Sequence, residues 1–164
     1  DVRANLEKIN AENEKNMFRN LALEQACKNM TVTIPEAMYD AKVEEMIRGY
    51  AASYYGPEAD NVEFDVLCAA MGFSQETIER SVRPNAEHQV QAELLLDAII
   101  KAENFEVSDE ELEEYLKTVA ESANANPEEV RAYYGNDFIR NEKMKDMARE
   151  LVIDSAVAVE AKAE

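Results

Sequence analysis

Apolar positions recur at helical spacing over nearly the whole chain, and the breaks between these stretches are sharp. Residues 2–29 form one long pattern. Val2, Leu6 and Ile9 make a sparse first stripe; Met17, Leu21 and Glu24, flanked by Phe18, Ala22 and Ala26, make a wider second one. Between them AENEKN is polar all round, so the first half of this helix has little to bury and is expected to project. Asn29 suits a left-handed cap, and TVT reads as extended chain. Thr33, Pro35 and Glu36 then have the spacing of a capping box for a helix running to Tyr55. Gly56-Pro57 stops that helix, because glycine permits the left-handed turn and proline cannot continue.

After an acidic loop, PEADN, a short helix is predicted over 62–71, ended by Gly72. Ser74, with Thr77 three residues on, caps a helix over 75–104 that should break or kink near Pro84. Its second half, VQAELLLDAIIKAENF, is strongly apolar and reads as core. The opening punctuation then returns. Asn104 takes the place of Asn29, Val107 that of Val32, and Ser108 with Glu111 forms a second capping box for a helix over 109–123. Asn126-Pro127-Glu128-Glu129 starts a shorter helix that ends at Tyr133-Tyr134-Gly135. Asn136 or Asp137 caps a last helix to about residue 160, with Met144, Met147, Leu151, Ser155 and Ala158 on one face. The Ala/Glu/Lys tail should fray.

Composition agrees with an all-α fold: only four Gly and four Pro occur in 164 residues, sparse for a β-sandwich. With 35 acidic against 17 basic residues the net charge is −18, which repels phosphate backbones and argues against a nucleic-acid partner. No apolar run is long enough to span a membrane, and no signal peptide is visible. Cys27 and Cys68 stand outside any CxxC and read as buried free thiols of a reducing compartment. The chain opens on Asp1, in mid-helix by pattern, so a piece of a longer protein is expected.

Candidate chemistry is thin. His88 is the single histidine, and a lone histidine on a helix is most often a surface or packing residue. No Cys or His pair has metal-ligand spacing, and Asp109, Glu110 and Glu111 suit a helix start better than a calcium loop. A glycine-rich phosphate loop and a GxSxG elbow are both missing from the sequence. No catalytic residue, metal or cofactor is therefore expected.

What remains is apolar surface. Tyr39, Val43, Met46, Ile47, Tyr50 and Tyr54 share one helical face, widened by Met38 and Ala41. A stripe of this kind is most often core. Methionine and tyrosine are also what an adaptable peptide-binding surface uses, since one fills irregular shapes and the other offers area at small entropic cost. The candidate contact residues are Met38, Met46, Tyr50, Tyr54, Phe64, Met71, Phe73, Tyr133, Tyr134 and Phe138.

The passage LALEQACKNMTVTIPEAMYDAKVEEMI resembles the start of the C-terminal domain of bacterial trigger factors, which are ribosome-associated chaperones. HQVQAELLLDAIIKAENFEVSDEELEEYLKTVA, NPEEVRAYYGN and MKDMARELVIDSAVAVEAKAE continue the resemblance in order over essentially the whole chain. It implies an all-α fold, an elongated body with two helical arms, similar also to the peptide-binding part of SurA-type chaperones. Residues 1–30 would link to N-terminal domains, about 34–80 would form the first arm and about 108–135 the second, with about 85–104 and 137–158 as body. It further implies a bacterial cytoplasmic location and ATP-independent binding of hydrophobic segments of nascent or unfolded polypeptides. The family's GFRxGKxP-type ribosome-docking loop and its FKBP-like prolyl isomerase domain have no counterpart in this sequence. Ribosome contact and isomerase activity would accordingly belong to other parts of such a protein. A structural or dimerising helical module, its stripes sealed against a second copy, is the alternative.

Overall fold

The structure, a computed structural model, describes residues 2–56, 58 and 61–157, the side chains of residues 2–8 and of Tyr54 excepted. Pro57 and Ala158, invoked above for a helix stop and a helix face, lie outside the described residues, as does the Tyr54 side chain. Seven helices and no strand occur among the described residues, an all-α architecture. They are α1 (Val2–Asn29), α2 (Glu36–Tyr55), α3 (Phe64–Ala70), α4 (Gln75–Glu103), α5 (Asp109–Ser122), α6 (Pro127–Tyr134) and α7 (Asn136–Ser155).

Two compact units divide the chain. One comprises residues 30–94, and therefore α2, α3 and the first two-thirds of α4. Its core forms where Val43 and Ile47 of α2 meet Cys68 of α3 and Ile78 and Ala86 of α4. Ala51 continues the α2 ridge one turn on and packs with Leu67. Spacing of four residues keeps Val43, Ile47 and Ala51 on one stripe. Charged links brace the exterior: the Arg83 guanidinium reaches Glu36 at 2.9 Å and Asp40 at 2.8 Å, and Lys42 donates to Glu93 at 3.0 Å.

The other unit comprises residues 1–29 and 95–164, of which α1, the end of α4, α5, α6 and α7 are described. Val107, Leu112, Leu116, Ala120, Val130 and Ile139 form its core, with Tyr115, Val119, Met144 and Met147 packed against it. Arg131 clamps α6 to α5 through Glu113 at 2.6 Å. Arg140 on α7 donates to the Val107 carbonyl and to Asp109, which fixes the entry to α5.

Helix starts follow the sequence closely at three places. Ser108 accepts from the Glu111 N–H at 3.2 Å, and the Glu111 carboxylate accepts from the Ser108 N–H at 2.9 Å, completing a capping box. That N–H, then the Ser108 hydroxyl, hold the Glu111 carboxyl below its ordinary pKa. Ser74 accepts from the Thr77 N–H, and Asn126 caps α6 through the Glu128 N–H with Pro127 at the first position. Ser108→Ala should lower stability by about 1 kcal/mol, the usual cost of losing an N-cap acceptor. Urea denaturation checks this, and an unchanged midpoint would show that the box contributes nothing.

Elsewhere the structure differs from the sequence reading. The Thr33–Glu36 box does not form: α2 begins at Glu36, and its N-cap is Pro35 with no side-chain bond. The reason is Pro35 itself. Its ring disfavours helical geometry at Ile34, which the box would have required. Asn29 is the last residue of α1 and keeps a negative φ, whereas Asn104 adopts the left-handed conformation at φ 52°. α4 runs unbroken through Pro84. The Arg80 carbonyl loses its intrahelical donor there, but Arg80 and Pro84 are both exposed, so water can replace it. The α7 cap is Gly135, not Asn136 or Asp137, and α7 ends at Ser155 because Ala156 is extended. Within 90–105 only Val90 and Leu96 are fully buried; Leu94, Leu95, Ile99 and Ile100 are half-buried, so this segment is a partly covered helix rather than closed core.

Candidate functional site

The α6–α7 joint gathers three of the residues singled out in the sequence. Gly135, at φ 79°, is at once the C-cap of α6 and the N-cap of α7. That left-handed geometry suits glycine, and one residue suffices to turn the chain from one helix into the next. Tyr133 and Tyr134 therefore stand immediately before the turn and Phe138 on the first turn after it. Tyr133 meets Tyr134 edge-on with ring centroids 4.7 Å apart, and Tyr134 stacks on Phe138 at 5.1 Å with planes 16° apart. These are ordinary geometries for attractive aromatic pairs. What is unusual is their setting: Tyr133 is 82% exposed, Tyr134 51% and Phe138 50%.

Charges around the three rings are unevenly engaged. Arg131 is held by Glu113 and Asn136, and Arg140 by Val107 and Asp109. Glu129, one turn before Tyr133, and Asp137, next to Phe138, are exposed.

The remaining candidates lie in the unit of residues 30–94. Met38, Tyr50 and Phe73 are exposed; Met46, Phe64 and Met71 are half-buried and pack against the core of that unit. The α2 stripe thus divides lengthwise: Val43 and Ile47 are closed off, whereas Tyr50 faces solvent. Phe64 also lies under the Arg48 guanidinium, 5.7 Å from the ring centre.

A surface the sequence reading did not assemble lies in the other unit. Phe18, Leu21 and Ala22 of α1, Ile99 of α4, and Leu151 and Val152 of α7 line an open groove of about 850 Å³. Leu21 and Met17 are more than half exposed on the same helix. Each wall was visible as a stripe, at Met17–Leu21 and at Leu151, but nothing local says that segments so far apart in sequence face each other. A second cleft of about 680 Å³ between α1, α5 and α7 is of mixed character, with Arg19, Lys143 and Glu150 lining it beside Leu23, Met147 and Ile153.

Burial pushes the Cys27 and Cys68 thiols up, away from the reactive thiolate. His88 is exposed. Among the described residues no three His, Cys, Asp or Glu side chains are arranged to hold a metal ion, and no helix is long and apolar enough to cross a membrane.

Comparison with known proteins gives one consistent family. The family profile described as "Bacterial trigger factor protein (TF) C-terminus" matches residues 1–158. The trigger factor of Staphylococcus epidermidis is 27% identical over 162 residues, covering 98% of this chain and 37% of that protein. That of Desulforamulus reducens is 31% identical over 157 residues, covering 96% and 35%. Trigger factor 1 of Desulfitobacterium hafniense is 33% identical over 115 residues, covering 69% and 26%. The chain therefore spans about a third of the length of the curated relatives that it matches end to end. No solved structure matches it.

Proposed function

The chain belongs to the bacterial trigger factor C-terminal family, and from that premise we propose that it is an ATP-independent holding module for hydrophobic segments of nascent or unfolded polypeptides. The observation that carries this reading is the contiguous exposed aromatic cluster Tyr133, Tyr134 and Phe138. Three large rings left in water at a helix joint are costly to solubility unless something transiently covers them. The groove between α1 and α7, and exposed Met38, Tyr50 and Phe73, supply further apolar area.

Each client side chain buried would contribute roughly 1.5–3 kcal/mol before ordering costs are subtracted. No one patch then binds tightly, and several along one client add avidity while release stays fast. The net charge of −18 keeps the loaded complex soluble. Two buried free thiols suit a reducing compartment such as the bacterial cytoplasm.

Dilution of a guanidinium-denatured globular enzyme into buffer tests the reading by light scattering. The 1–164 chain in stoichiometric excess should suppress aggregation. The combined variant Tyr133→Ala, Tyr134→Ala and Phe138→Ala, which touches only exposed positions, should need about fivefold more chain for the same suppression. No suppression by the parent chain would sink the proposal. Sedimentation over a concentration series checks the competing use of these surfaces: a tight dimer that buries the three rings would assign them to self-association instead.

A further inference from the structure

Resting on that reading, we propose that Arg131 is the positioning residue of the α6–α7 joint: its guanidinium, reaching across Gly135, sets the angle between the two helices and so the stacking of Tyr134 on Phe138. Tyr133 and Tyr134 share α6, so their edge-on contact travels with that helix. Tyr134 and Phe138 stand on different helices and stack only while the α6–α7 angle holds. The joint itself is a single glycine, and nothing lies within 4 Å of where a Cβ would stand on Gly135. Glycine restricts its own φ and ψ less than any other residue. Val130 and Ile139 fix the two helices on the buried side, one before the turn and one after. Arg131 supplies a second, polar link between them.

The contacts of this side chain suit the role. Nη2 donates to both oxygens of Glu113 on α5 at 2.6 Å, Nη1 donates to the Asn136 side chain at 3.3 Å, and Nε stands 3.8 Å from Glu128. Asn136 is the first residue of α7, and Phe138 follows two residues later. The Arg131 carbonyl accepts from the Gly135 N–H at 2.9 Å, so backbone and side chain of one residue hold both sides of the turn. The bond from Arg131 draws the Glu113 carboxyl below its ordinary pKa. As an ion pair at a partly exposed site this contact adds little to global stability. Its consequence is orientation. A planar guanidinium presents donors in fixed directions and spans α5 and α7 at once, whereas a lysine ammonium is a point charge on a flexible stem.

Near-ultraviolet circular dichroism reads the rings, and suppression of aggregation reads holding. The difference in the tyrosine band between the parent chain and the combined Tyr133→Ala, Tyr134→Ala and Phe138→Ala variant is the signal of the joint. Arg131→Gln should lose most of that signal at a nearly unchanged urea midpoint. It should also need about threefold more chain than the parent for the same suppression. Arg131→Lys, which keeps the charge, should lose the signal too. Added to the combined variant, Arg131→Gln should cost no further suppression, because an effect that passes through the rings cannot be repeated once they are gone. A ring signal that survives Arg131→Gln, or that Arg131→Lys restores, would overturn the proposal. So would an equal loss of suppression with and without the rings. Aggregation left unsuppressed by the parent chain would overturn the holding function instead, and the dichroism would still decide the role of Arg131.

Discussion

Leu116→Ala should destabilise the chain by about 3 kcal/mol, whereas Lys117→Ala, one residue on, should stay within about 0.5 kcal/mol of the parent. Leu116 is 1% exposed at the centre of the cluster formed with Val107, Leu112, Ala120, Val130 and Ile139. Truncation there removes the transfer energy of the lost methyl groups and leaves a void bordered by α5, α6 and α7. The cost should fall toward the lower end of the usual range for such changes. Met144 and Met147 already touch this core, and their flexible thioethers can swing into part of the void. Urea denaturation followed by circular dichroism reads the effect as a lower midpoint at unchanged slope. A loss under about 1 kcal/mol would mean that the cluster does not hold this unit together. The aromatic cluster depends on that core indirectly. Val130 anchors α6 and Ile139 anchors α7 on either side of Gly135, so the positions of Tyr133, Tyr134 and Phe138 follow from how those two apolar residues pack.

Features written in neighbouring residues were legible in the sequence, and features that needed distant segments were not. Ser108 and Glu111 satisfy each other within one turn, so the box could be read directly and is present. Thr33 and Glu36 have the same spacing, yet the intervening Ile34-Pro35 pair disfavours the helical geometry that the box needs. Periodicity located the α2 stripe but not its width. Ala51 is fully buried, and Tyr50, about 100° away around the helix, is 57% exposed. Which of the two faces solvent depends on where α3 and α4 lie, and α2 alone contains no record of that. The aromatic cluster at the α6–α7 joint was partly visible as Tyr133, Tyr134 and Phe138, because a single glycine separates their helices. The α1–α7 groove was not, since its walls are joined only by tertiary packing. The partly covered segment 90–105 misled for the converse reason. Apolar composition signals that a helix wants cover, not that its neighbours supply all of it.

Tyr115→Phe should cost about 1.5 kcal/mol at neutral pH, and the gap between parent and variant should narrow in alkali. The Tyr115 hydroxyl donates to Asp146 at 2.7 Å, linking α5 to α7, and the Lys143 ammonium lies 5.5 Å from the ring centre. A hydrogen bond to a charged acceptor contributes about 1.5–3 kcal/mol, and the half-buried site places this one at the low end. Asp146 is also held by Arg149, so removing the hydroxyl does not strand a carboxylate. Burial, then the bond to Asp146 and the charges of Asp146 and Glu142, push the Tyr115 pKa well above its ordinary value. The folded state therefore keeps the proton that the unfolded chain releases near pH ~10. A group with a raised folded-state pKa contributes its full stability below the unfolded value and loses it as pH climbs toward the folded one. Urea denaturation near pH ~9 and pH ~11 separates this contribution from lysine titration, which parent and variant share. The parent should lose more stability than Tyr115→Phe between the two pH values. Parallel losses would show that the hydroxyl–carboxylate link is absent in solution, and α5 would then rest on α7 through apolar contacts and the Arg140–Asp109 pair.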